Sequence, residues 1–223
     1  MRVIEIRIQK YLSIQYKAST FPEPGSPHHL KMRISVKNLS VSRGERTLLK
    51  RLSFELEAGQ AIHVAGANGS GKTTLLETLC GLRTAEQGTI SGLESADSFH
   101  WLGHRNALNP ALTVIENLRF WCGLQSAHDD RIESALDRLQ IRAHRHRVCR
   151  ELSAGQKRRA ALARLLIVRR PLWLLDEPLS GLDTGGIELF SDALRMHLAQ
   201  DGAALITSHQ SLPGLAGLRR LDL

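Results

Sequence analysis

Residues 66–73 read Gly66-Ala67-Asn68-Gly69-Ser70-Gly71-Lys72-Thr73, the pattern G-x-x-x-x-G-K-T, with Thr74 following. The glycines let consecutive backbone N–H groups turn inward around a chain of phosphates, and the helix that follows adds its positive dipole end. Lys72 then reaches the β/γ-phosphates and the Thr73 hydroxyl binds Mg2+. Farther along, Pro171-Leu-Trp-Leu-Leu-Asp176-Glu177-Pro178 is an apolar run that ends on two adjacent carboxylates. At the end of a parallel strand neighbouring the phosphate loop, Asp176 can hold the Mg2+ shell and Glu177 can accept a proton from an attacking water. His209 follows the apolar run Ala203–Thr207, where it can reach a γ-phosphate. Ser153 and Gln156, in Leu152-Ser153-Ala154-Gly155-Gln156, have the S-x-x-Q spacing of a capping box. A well-formed helix N-terminus there offers N–H groups to a second phosphate.

These residues need a scaffold, and hydrophobic patterning supplies one from Met32 onward. Short strands fit near 33–37 and 52–57, and the apolar Ala61–Ala65 reads as a strand. A helix fits 72–81, a strand sits near 99–102, and helical periodicity resumes at 113–124 and 130–141. In the last of these Ile132, Leu136 and Leu139 fall at i, i+4 and i+7. A helix at 155–169, a buried strand from Leu172, a helix at 185–199 and a strand at 203–207 complete the pattern. The order implies an α/β fold: a mostly parallel sheet flanked by helices, an N-terminal antiparallel β subdomain, and a helical insert over about 105–165.

Composition narrows the function classes. The chain has 223 residues, 42% hydrophobic and 23% charged, as in an ordinary globular protein. No apolar run approaches the roughly 18 residues that a membrane-spanning helix requires. Cys80, Cys122 and Cys149 are widely spaced, with no CxxC, which argues against a zinc ribbon or a disulfide framework. The net charge of +8 favours an anionic partner, either nucleic acid or phospholipid headgroups. Residues 1–31 differ from the rest: they hold both tyrosines, Pro22, Pro24 and Pro27, and five cations against Glu5 and Glu23. They are expected to be a disordered extension, or to precede a true start at Met32.

Taken together, the phosphate loop, Leu152–Gln156, Leu172–Glu177, Ser180–Asp183 and His209 resemble the ATPase subunit of an ATP-binding-cassette (ABC) transporter, over essentially all of 32–223. The resemblance implies ATP and Mg2+ as cofactors, a P-loop NTPase core of the ABC type, and Gly66–Thr74 as the nucleotide cradle. It also implies a homodimer closing head to tail, in which Ser153, Gly155 and Gln156 of one subunit cover the γ-phosphate held by the other. Glu177, His209 and Lys72 would carry catalysis, Thr73 and Asp176 the metal, and Asp183 would touch the opposite subunit.

Two departures from the common cassette pattern point to a subfamily. His104 stands where the loop facing the membrane subunits normally carries Gln, and Arg43 falls near the position of the aromatic that stacks on adenine. Trp101-Leu-Gly-His104, LSAGQ in place of LSGGQ, and Ser208-His-Gln210 are similar to the haem-exporter type of cytochrome c maturation. That likeness implies polytopic membrane partners at the cytoplasmic face of a bacterial inner membrane, contact with the membrane surface only through them, and no nucleic acid. The alternatives are another small exporter or a soluble cassette acting on nucleic acid, which usually joins two cassettes or inserts coiled coils. A haem site of the chain's own, at His144, His146 and Cys149, lacks CxxCH and lies among arginines, as a solvated basic face would.

Overall fold

The structure, a computed structural model, describes residues 32–93, 95–210 and 218–223. The expectation for residues 1–31 lies outside the described residues. Strands β1 (Arg33–Arg43) and β2 (Arg46–Glu57) form an antiparallel hairpin, and β4 (Gln87–Ser91) pairs with the other edge of β1. Both hairpin strands are longer than the short segments the sequence predicts. Register shifts between Val36 and Leu39 and again between Leu39 and Val41 break the pairing. They leave Leu39, Ser40 and Val41 buried in succession. A bulge of this kind erases the period-2 alternation by which strands are read.

The second sheet is parallel throughout, in the order β5 (Phe99–Leu102), β6 (Leu172–Asp176), β7 (Ala203–Thr207), β3 (Ala61–Ala65) and β8 (Arg219–Asp222). β6 and β7 are buried at every residue, as expected of strands covered on both faces. One face packs against helix α1 (Lys72–Leu79) and the hairpin, where Leu75, Leu76 and Leu79 meet Ile34, Val36, Leu56, Leu174 and Leu205. Four helices lie with the other face: α2 (Val114–Leu124), α3 (Ile132–Arg138), α4 (Ala154–Ile167) and α5 (Thr184–Ala199). Their core includes Leu118, Leu136, Ala161, Leu165, Phe190 and Ile206. Ile132, Leu136 and Leu139 are all buried, as their spacing requires. Among the described residues, no helix is long and apolar enough to cross a membrane.

Two buried histidines carry a pH prediction. His100 Nε2 donates to the Val168 carbonyl at 2.6 Å, and burial pushes its pKa down to about 3. The His197 ring stacks on Trp173 at 4.0 Å, and burial lowers its pKa to about 4. Both values lie below the roughly 6.5 of an unfolded histidine, so the unfolded chain binds more protons once the pH drops below that value. Stability should therefore be complete above pH 6.5 and fall as the pH is lowered toward 4 and then 3. Urea midpoints measured across that window should decrease; a flat profile would contradict the neutral, buried state of these rings.

Candidate nucleotide site

The loop from β3 to α1 is built to receive anions. Gly71, the N-cap of α1, has φ 109°, in the left-handed region, and no side chain caps the first turn. The orphan N–H groups of that turn are available to a ligand. The Ser70 hydroxyl is buried without a hydrogen-bond partner. Lys72 is buried, and its Nζ donates to the carbonyls of Gly66 at 2.8 Å and Ala67 at 3.0 Å, which folds the ammonium across the loop. An uncapped helix end, an orphaned hydroxyl and a cation over glycine-rich backbone fit a chain of phosphates.

Asp176 lies at the end of β6 and is only 3% exposed. Its Oδ2 accepts from Thr73 Oγ1 at 2.9 Å and its Oδ1 from Thr207 Oγ1 at 2.7 Å. The carboxylate thus meets the phosphate-loop hydroxyl, but not for the reason given by the sequence. β6 does not neighbour β3; β7 runs between them, and its terminal Thr207 bridges the gap. A hydroxyl and a carboxylate, oxygen donors only, suit a hard divalent cation such as Mg2+.

Glu177, the next residue, has φ 50°. A non-glycine residue in that region costs on the order of 1–3 kcal/mol, so the surroundings must hold it there. Its N–H is shared between the Thr207 carbonyl at 3.1 Å and hydroxyl at 3.0 Å. Its Oε2 accepts from the His209 backbone N–H at 3.2 Å. Its Oε1 lies 3.5 Å from His209 Nε2, is buried and accepts no hydrogen bond, which leaves its acceptor capacity unspent. Lys72 and Thr73 therefore share the sheet's carboxyl edge with Asp176, Glu177 and His209.

Sequence reasoning passed over Arg158, taking it as part of a basic helix. It is 1% exposed, and all five of its N–H donors are used. Nε donates to Pro178 O at 2.9 Å, and Nη2 to Asp176 O at 3.0 Å and Glu177 O at 2.7 Å. Nη1 donates to Gly103 O at 3.2 Å and Asn106 Oδ1 at 3.0 Å. Burial lowers its pKa to about 10, so it stays cationic at neutral pH. The only hint in the sequence was a charged residue on the apolar face of an otherwise regular helix.

The remaining expected residues do not join this network. The capping box is present: Ser153 Oγ accepts from the Gln156 N–H at 3.2 Å and Gln156 Oε1 from the Ser153 N–H at 2.9 Å. This helix end therefore satisfies two of its own donors. Gln156 Nε2 is also 3.0 Å from His144 Nε2. Asp183 caps α5 by accepting from the Gly186 N–H at 2.9 Å, and its pairing with Arg159 holds its pKa below the usual range. His104 is exposed, with its loop pinned on either side at Gly103 and Asn106. Cys149 is a correction to the solvated-face reading of its segment: it is buried, and Asn117 Nδ2 lies 3.3 Å from its sulfur. Among the described residues, no cluster of three His, Cys, Asp or Glu could hold a metal ion.

Gly155 has a structural duty. A Cβ there would sit 2.7 Å from the Gly181 carbonyl oxygen. Gly155→Ala should lower the melting temperature, at a cost of about 1–3 kcal/mol for overpacking against backbone. A melting temperature equal to that of the wild type would show that the two segments part easily.

The parallel sheet with a phosphate loop between β3 and α1 defines a P-loop nucleoside triphosphatase fold. Two solved structures share it: an ATP-binding subunit of an ABC transporter and an ABC transporter ATP-binding protein from Pyrococcus furiosus. The first has TM-score 0.73, 22% identity and 79% coverage of each chain. The second has TM-score 0.75, 23% identity and coverage of 86% of this chain and 97% of that one.

The ABC transporter family pattern matches residues 49–180. Cytochrome c biogenesis ATP-binding export protein CcmA of Cereibacter sphaeroides is 46% identical over 192 residues, 86% of this chain and 89% of the relative. The CcmA proteins of Rhodobacter capsulatus, 45% identical over 85% of this chain and 86% of the relative, and Brucella abortus, 41% over 83% and 89%, are similar in extent. The chain belongs to the ABC transporter family, among the CcmA-type ATP-binding proteins.

Proposed function

We propose that this chain is the ATP-hydrolysing subunit of an ABC exporter that serves c-type cytochrome biogenesis through the export or handling of haem. The observation that carries the enzymatic part is the hydrogen-bonded set Thr73–Asp176–Thr207 with Glu177 and His209 beside it. The likeness to CcmA proteins supports the biological setting.

In this reading the phosphates of ATP lie along Gly66–Thr74, with Lys72 turning from the loop carbonyls to the β/γ-phosphates. Thr73 and Asp176 would hold Mg2+, which supplies charge neutralisation for the phosphates. Glu177 accepts the proton of the attacking water at Oε1, and His209, against the same carboxylate, faces the γ-phosphate. Two copies close head to tail, so that Ser153, Gly155 and Gln156 of one cover the γ-phosphate of the other, while Asp183 meets the opposite copy. Catalysis is then positioning and charge stabilisation at a composite site. His104 lies on the loop that would couple a bound Mg2+ to the membrane subunits. The subunit sits peripherally at the cytoplasmic face of the inner membrane, held there by polytopic partners, and residues 32–223 form the cassette.

Co-expression with the membrane subunits tests this. The chain should remain in washed membranes only when they are present, and its ATPase activity should copurify with them. ATPase activity stimulated by DNA or RNA in the purified chain would instead favour a nucleic-acid cassette.

A further inference from the structure

The sheet edge that carries the chemistry and the loop that carries His104 are separate in sequence, yet one side chain is bonded to both. Arg158 gives three of its five donors to consecutive carbonyls, Asp176, Glu177 and Pro178. The other two go to the loop, at Gly103 O and Asn106 Oδ1. Arg164, farther along α4, holds the same loop through Asn106 O at 2.7 Å.

We propose that Arg158 is a positioning residue for ATP hydrolysis: its guanidinium fixes the turn at Asp176–Pro178, and with it the Glu177 carboxylate, against the loop Gly103–Asn106. Three observations support this. Glu177 is held at φ 50°, a conformation that a non-glycine residue keeps only when its surroundings determine it. The carbonyls on both sides of that φ, and the Glu177 carbonyl itself, are hydrogen-bonded to one rigid planar group. And the guanidinium is buried without a carboxylate partner: its five acceptors are four backbone carbonyls and a side-chain amide, so what it holds is backbone shape. A shift of the His104 loop is thereby transmitted to the turn bearing Glu177. This inference rests on the reading of Glu177 as the base.

The test is a double-mutant cycle in the full chain copurified with its membrane partners. Arg158→Lys keeps the charge and loses the fork; Asn106→Ala removes only one loop-side acceptor, and it keeps the proposal testable if Arg158→Lys does not fold. Each is measured in the wild type and in a Glu177→Gln background, by kcat and KM for ATP. Arg158→Lys should lower kcat roughly 10–100-fold, and Asn106→Ala roughly 3–10-fold, with KM within about threefold of the wild type. In the Glu177→Gln background neither change should lower the residual turnover further, because groups that act through one another are not additive. Equal losses in both backgrounds, KM rising as kcat falls, or wild-type kcat in both variants would overturn the proposal. Near-normal turnover in Glu177→Gln alone would instead remove the base assignment, and this inference with it.

Discussion

Glu177→Gln should leave ATP binding intact and reduce turnover by about 10²–10³-fold, the usual loss when one well-placed polar group is removed from an active site. Two features of the site set this expectation. Oε2 is already committed to the His209 N–H at 3.2 Å, so the carboxylate is oriented by backbone and does not need substrate to fix it. Oε1 is buried and accepts no hydrogen bond, so its acceptor capacity is not spent within the chain. Glutamine preserves the shape and the oxygen facing His209 but no longer offers a basic carboxylate. Nucleotide affinity by titration should change little, because no phosphate-loop group is altered. Turnover near that of the wild type would reject Glu177 as the base.

Asp176→Asn should act differently, through the cation. The Asp176 carboxylate accepts from Thr73 on one oxygen and Thr207 on the other, so the amide fits the space and the hydroxyls can rotate to meet it. The missing negative charge is felt by a divalent ion. The Mg2+ concentration for half-maximal turnover should rise on the order of 10–100-fold, the usual range for altered ligation around a metal. Activity at moderate Mg2+ should fall accordingly, with part of it restored as the ion is increased. A Thr207→Val variant, which loses only the bracing hydroxyl, should show a smaller shift. An unchanged Mg2+ requirement in Asp176→Asn would separate this residue from the metal.

Much of this site was legible because its residues announce themselves locally. The phosphate loop is a contiguous string, and the capping box at Ser153–Gln156 is fixed by spacing and forms as read. What escaped the sequence depends on distant partners. The strand Gln87–Ser91 carries one half-buried apolar residue, Ile90, so no alternation marks it, and Arg219–Asp222 is mostly charged edge. The interposed position of β7 follows from how strands pack, which a string of residues does not record. Arg158 escaped for the same reason: its five acceptors lie in two segments remote from α4, and only its place on the apolar face of the helix sets it apart from half-buried Lys157 and Arg159.

The contact at Gly155 has a consequence for how two copies would fire. Backbone at Gly155 lies against the Gly181 carbonyl, Arg159 pairs with Asp183, and Arg158 grips Pro178, so the start of α4 and the segment 176–183 form one block. In the proposed head-to-tail pair that block would face two reaction centres at once, with Glu177 serving its own nucleotide and Ser153 and Gly155 the other. A stiff lever with an end in each centre leaves little room for one to close while the other stays open. ATP-dependent turnover should then be sigmoidal in nucleotide concentration, with a Hill coefficient above one that falls when Gly181 is loosened from Gly155.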